Sequence, residues 1–158
     1  MHLLVWLSAN SRIRPDDIDC LISAEIPDPD EDPELHRLVL AHMIHGPCGN
    51  ARQYLCMFRE GRPANCTKKF AKPFNNVTED GQGSFPRYKR RHPDDGGITT
   101  EIRVRGQPIV VENRWVVPYS PILLKAMNCH LNAELSGSVK AIKYLLKYIK
   151  KGSDRAVF

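Results

Sequence analysis

At 158 residues, 42% apolar and 26% charged, the chain is sized for one soluble-type domain with a real core, and nothing in it approaches the roughly 18 consecutive apolar residues of a membrane span. Its net charge of +5 is unevenly laid out: residues 1–46 carry 3 Lys/Arg against 9 Asp/Glu, whereas residues 47–158 carry 20 against 9. The basic two-thirds is therefore the part suited to an anionic polymer, and five cysteines without a secretory signal favour metal binding or plain burial over a disulfide framework.

Met1-His2-Leu3-Leu4-Val5-Trp6-Leu7 starts inside an apolar run that is short and has no basic lead-in, so it does not read as a signal peptide. Leu3–Leu7 reads as a buried strand that has lost its approach, and a truncated N-terminus is expected. Pro15-Asp16-Asp17 opens a short helix over Asp16–Ser23. The Pro-punctuated acidic run from Asp28 to Glu34 reads as a solvated loop. Pro33-Glu34 then starts a clear helix to about His45, with Leu35, Leu38, Val39, Met43 and His42 on one face and Gly46-Pro47 as its stop. Residues 46–97 are loop-rich and need a staple. Residues 98–105 alternate as a strand, Gly106-Gln107-Pro108 turns the chain, and Ile109–Val117 is the expected partner strand of a hairpin. Pro118 to Pro121 breaks the pattern, Ile122–Met127 is a short helix, and Cys129–Leu135 reads as a strand leading into a last helix. The expected class is α+β, one domain over 1–158, with an incomplete sheet and a Cys/His-rich insert at 42–74.

The last helix, 138–152, carries Ile142, Leu145, Leu146 and Ile149 as its apolar stripe, which already supplies a core contact. Tyr144 and Tyr148 fall on the opposite flank, beside Lys140, Lys147 and Lys151, where two phenols are well placed for phosphate chemistry. Surface tyrosines on a solvated lysine-rich face would look the same.

His42-x-x-His45-x-x-Cys48, followed by Cys56 and Cys66, has the residue types of a zinc site. Two-residue gaps let a helix end and the next turn present ligands together. His45, Cys48, Cys56 and Cys66 form the preferred set for a structural Zn²⁺, with His42 the spare; the later gaps are not those of a standard finger, and ordinary burial is the competing reading. Arg87-Tyr88-Lys89-Arg90-Arg91-His92, Lys68-Lys69-Phe70 and Lys72-Pro73-Phe74 mix cations with aromatics, as surfaces for single-stranded nucleic acid do. Arg87, Lys89, Arg90 and Arg91 are the expected DNA contacts here. The chain contains no phosphate-binding Gly-x-x-x-x-Gly-Lys-Ser/Thr loop.

Taken in order, His42-Met43-Ile44-His45-Gly46-Pro47-Cys48-Gly49, Cys66-Thr67-Lys68-Lys69-Phe70, Phe85-Pro86-Arg87-Tyr88-Lys89-Arg90-Arg91, Asn113-Arg114-Trp115-Val116-Val117-Pro118-Tyr119, Asn128-Cys129-His130-Leu131-Asn132 and Lys140 to Gly152 make the chain resemble the Rep (helicase-like) region of Helitron rolling-circle transposons. Ala71 and Ala133-Glu134-Leu135 depart from the pattern. The resemblance implies a two-tyrosine endonuclease of the histidine–hydrophobe–histidine class, with an antiparallel sheet, a central histidine strand and the tyrosine helix across it. It maps the nucleophiles onto Tyr144 and Tyr148 and makes His2 the second metal-ligand histidine; the first would fall before Met1. Mg²⁺ or Mn²⁺ is the implied ion, acting as a Lewis acid on the scissile phosphate. A tyrosine oxygen would then attack phosphorus, forming a 5′-phosphotyrosine and freeing a 3′-hydroxyl. Single-stranded DNA as substrate, a superfamily 1 helicase domain in the longer parent and a nuclear location follow from the same resemblance. With half of its histidine pair, this chain alone is expected to cleave little. A zinc-stabilised nucleic-acid-binding module, or a decayed transposon remnant, are the competing expectations.

Overall fold

A computed structural model describes residues 15–46, 66, 68–79, 85–104 and 106–135. They form an α+β arrangement: helices α1 (Pro15–Leu21), α2 (Pro33–His42) and α3 (Pro121–Met127), and one antiparallel hairpin of β1 (Thr99–Val104) and β2 (Gln107–Glu112). Among the described residues, no helix is long and apolar enough to cross a membrane.

Each helix begins at a proline, where the missing N–H costs nothing. At α2 the Asp32 carboxylate accepts from the Leu35 amide at 3.0 Å, satisfying one of the donors a helix start leaves open. The Lys125 ammonium of α3 sits 2.7 Å from the same carboxylate, so the cap also ties two helices together. Upstream, Asp28 accepts from the Asp30 amide through its side chain and from the Asp32 amide through its carbonyl. The acidic run is thus a folded turn that ends in a cap, not merely a solvated loop.

α2 stops three residues short of the expected His45. Met43 closes it, and Ile44 pairs instead with Val116: His45 N–H donates to Trp115 O and Val117 N–H to Met43 O, both at 2.8 Å. The predicted second strand is likewise shorter. β2 ends at Glu112, and Asn113–Trp115 makes a 3-10 turn before Val116–Tyr119 runs extended. That segment also pairs Tyr119 with Ser23, making 113–119 the spine against which two distant segments lie. The hairpin register sets Ile102 opposite Ile109 and Thr100 opposite Val111. Ile102, Ile109 and Val111 pack into the core, while Glu101, Arg103 and Val110 face outward. Gly106 turns the hairpin at φ 82°, so a side chain there would be strained even though space is open. Gln107 and Pro108 already belong to β2, not to the turn. Cys129–Leu135 forms no strand.

The main core joins Leu35, Leu38 and Val39 of α2 to Met43, Val111, Val116, Tyr119 and Leu124. A second cluster, Ile18, Ile22, Ala24 and Tyr88, is completed by Ala133 and Leu135. Within the loop-rich part, Asn75 pairs with Arg90 and Glu79 with Arg87, an irregular antiparallel ladder.

A buried polar knot holds that ladder to the cores. Arg90, 4% exposed, donates through Nη1 to the carbonyls of Ala24, Asn113 and Val116 at 3.3, 2.7 and 2.7 Å. Burial pulls its guanidinium down to about 10, yet it stays charged at neutral pH. Glu25 receives Arg91 bidentately (Nη2 to Oε2 2.8 Å, Nε to Oε1 3.0 Å) and the Arg91 amide at 2.7 Å. Asn113, 1% exposed, accepts from the Ile26 amide at 2.8 Å and donates to Glu25 and to the Arg91 carbonyl. Tyr119 Oη–H donates to the Glu25 carbonyl at 3.0 Å, and burial raises its phenol to about 12. Gly97 lies over this knot: a Cβ would stand 2.2 Å from Arg91 O.

Candidate metal knuckle and nucleic-acid interface

The end of α2 and the turn at 66–69 bring His45 and Cys66 together, with Cys66 Sγ 3.3 Å from His45 Nε2. Two ligands of one tetrahedral zinc, at about 2.3 Å for sulfur and about 2.0 Å for nitrogen, stand about 3.5 Å apart. The observed separation fits one edge of such a tetrahedron. The imidazole is fixed from behind by Phe70, stacked on it at 4.2 Å and 17°. Burial holds His45 below the usual histidine range, helped by the nearby positive charges of Lys72, Lys68 and His130. A neutral imidazole is the form that ligates a metal.

His42 points elsewhere, its Nε2 3.0 Å from Asn128 Oδ1, while His130 Nδ1 meets the His42 carbonyl at 2.6 Å. Cys48 and Cys56 lie outside the described residues. Among the described residues, no three of His, Cys, Asp and Glu gather around one point. The chemistry and spacing of His45 and Cys66 fit a zinc edge, and Cys48 and Cys56 would supply the other two donors. His2, Tyr144, Tyr148, Lys140, Lys147 and Lys151 also lie outside the described residues.

The basic run 87–91 is arranged differently from the sequence expectation. Arg90 and Arg91 turn into the knot described above, because the loop-rich segment needs a staple and Glu25 supplies the charge for it. Lys89 lies 3.6 Å from Asp19, whose carboxylate also accepts from Thr78 Oγ1, and Arg87 pairs with Glu79 at 3.1 Å. Tyr88 is buried, donates to Glu134 at 3.0 Å and accepts from the Leu135 amide at 2.9 Å; burial drives its phenol far above the ordinary range. It is a core residue, not a base-stacking one.

The aromatics expected to stack bases are also engaged. Phe70 holds His45, with Lys72 Nζ 4.9 Å from its ring centre. Phe74 meets His92 edge-on at 4.5 Å and carries the Arg114 guanidinium at 4.7 Å. Arg114 is itself paired with Glu112. The Lys72 amide donates to Arg114 O at 3.1 Å and so fastens the 68–74 segment to the spine. Sequence reasoning missed the roles of Glu25, which stands in no recognised motif, and of Asn113, which the sequence presents only as the start of a resemblance segment and not as a buried hydrogen-bonding centre.

Comparison with protein-family models and with curated proteins finds no match to this chain.

Proposed function

We propose that the chain corresponds to part of the Rep region of Helitron-type rolling-circle transposons and handles single-stranded DNA, with Tyr144 and Tyr148 as the strand-transfer nucleophiles. One observation carries this reading: the segments that bear the resemblance are one another's partners in the fold. His42–Gly46 pairs with Asn113–Tyr119, Arg87–Arg91 locks onto Asn113 and Val116, and the Asn128–His130 turn meets His42.

In the proposed chemistry a tyrosine oxygen displaces the 3′ oxygen from phosphorus. The P–O3′ bond breaks, the phosphotyrosine bond conserves its energy, the phenolic proton passes to solvent, and the departing 3′ oxygen takes up a proton from solvent to leave as a hydroxyl. A divalent ion would supply Lewis acidity; His2 is the residue proposed to hold it. The test uses the chain extended at its N-terminus so that a histidine stands two positions before His2. With a single-stranded oligonucleotide and Mg²⁺ or Mn²⁺, a covalent protein–DNA adduct is expected on a denaturing gel. Tyr144→Phe/Tyr148→Phe is expected to abolish it; an unchanged adduct in the double variant refutes the assignment.

The His45–Cys66 contact favours a second reading, a zinc-stabilised nucleic-acid-binding module that does no chemistry. It predicts about one zinc per purified chain, falling toward zero in Cys66→Ser. Metal analysis showing no zinc in either protein would end it. DNA binding that survives both tyrosine substitutions, without any adduct from the extended chain, would favour it over the first.

A further inference from the structure

We infer that Lys68, Lys69 and Lys72, on the turn that carries Cys66, form the seat for backbone phosphates of single-stranded DNA in the described part of the molecule. The inference rests on the DNA-handling reading above and assigns its contact surface. Five ion pairs are formed among the described residues, and they occupy Arg87, Lys89, Arg91, Arg114 and Lys125. None includes the three lysines, so within the described structure this is where several cations stand close together without a carboxylate at ion-pair distance.

The turn is built to keep them together. The Lys69 amide donates to Cys66 O at 2.9 Å, and Lys69 adopts a left-handed backbone at φ 57°. Lys72 Nζ reaches back to Lys68 O at 3.0 Å. Lys68 and Lys69 are exposed, and Lys72 is half-buried. Burial, reinforced by Arg90 and Lys69, holds the Lys72 ammonium below its ordinary range; Glu134 opposes this from beyond ion-pair distance. An arriving phosphate would relieve the crowding of like charges. Two exposed lysines beside a half-buried one suit a strand of phosphates crossing the surface more than one anion enclosed on all sides.

The test is fluorescence anisotropy of a labelled oligo(dT) with the full chain across a salt series. Lys68→Gln/Lys69→Gln is expected to weaken binding about tenfold near 50 mM salt and to flatten the salt slope by about 1.4, since each single-strand phosphate contact contributes about 0.7. Lys72→Gln is expected to flatten it by about 0.7. The control, Arg37→Gln/Arg103→Gln, removes two exposed charges elsewhere and is expected to shift affinity less than twofold. If the wild-type chain binds and the lysine double variant keeps the wild-type slope, or the control matches it, the seat is wrong while DNA handling stands. If the wild-type chain does not bind, both fall.

Discussion

Two cationic segments, Arg87–Arg91 and Lys68–Lys72, read alike in the sequence and behave oppositely in the fold. The first has four cations and spends them internally: Arg90 on three carbonyls, Arg91 on Glu25, Lys89 beside Asp19, Arg87 on Glu79. The second has three and pairs none of them with a described carboxylate. The difference follows from what each segment must cover. Arg87–Arg91 crosses the junction of two cores, where buried carbonyls need strong donors, and a guanidinium can serve several from one planar group. Lys68–Lys72 lies on a turn outside both cores, where the flexible stems of Lys68 and Lys69 leave their charges in water and half-buried Lys72 turns its ammonium to the Lys68 carbonyl. Charge density along a chain therefore predicts a nucleic-acid surface only after the internal acceptors have taken their share.

The largest expected effect comes from breaking the first segment. Arg90→Met keeps the apolar stem but removes the donor to the Ala24 and Val116 carbonyls, and leaves the Asn113 carbonyl only the Val116 amide, in a site that water scarcely reaches. Unsatisfied buried acceptors cost about 1–3 kcal/mol each before relaxation, so a loss of about 3 kcal/mol or more is expected in urea unfolding. DNA affinity of the remaining folded protein should stay within twofold of wild type. A loss below about 1 kcal/mol would show that the knot does not hold the ladder, and a large drop in affinity at full folding would return Arg90 to the DNA surface.

The contrast also marks what the sequence made legible. α1 and α2 begin where Pro and acidic residues announce them, because helix starts are decided by groups within one turn, whereas Pro121, which reads as a break in the sequence, is the first residue of α3. The hairpin was readable from alternation and Gly106. The errors lie where a distant partner decides. α2 ends at His42 because Ile44 is claimed by Val116, and β2 ends at Glu112 because the Asn113 side chain is needed at Ile26 and Glu25, about 88 positions away. Arg91 turns inward for a glutamate 66 positions upstream. At the site, residue types placed His45 and Cys66 in one candidate ligand set, and the fold sets them 3.3 Å apart, while His42 contacts Asn128. That no described carboxylate stands at ion-pair distance from Lys68, Lys69 or Lys72 depends on where distant acidic groups fold, which no local pattern contains.

A smaller effect tests the electrostatics of the second segment by pH. His45 is held below its ordinary value of 6.5, first by burial and then by Lys72, Lys68 and His130. The unfolded chain therefore takes up this proton before the folded one does. Its contribution to stability is complete above the unfolded value and is lost as the pH falls from there toward the lowered one. In metal-free protein the urea midpoint should accordingly fall between pH 7.5 and 5.5, and His45→Asn should flatten that dependence. Asp32 does not blur the window: its carboxyl is lowered by the hydrogen bond from Lys125, so its contribution is lost only below the usual value of 3.8. Lys68→Gln/Lys72→Gln removes two of the charges that repel an imidazolium and should weaken the pH dependence without abolishing it, because burial is the larger cause. Arg87→Gln/Lys89→Gln should leave it untouched. A pH slope that survives intact in His45→Asn, or that responds equally to both pairs of substitutions, would mean that the two segments do not differ in the way their ion pairs indicate.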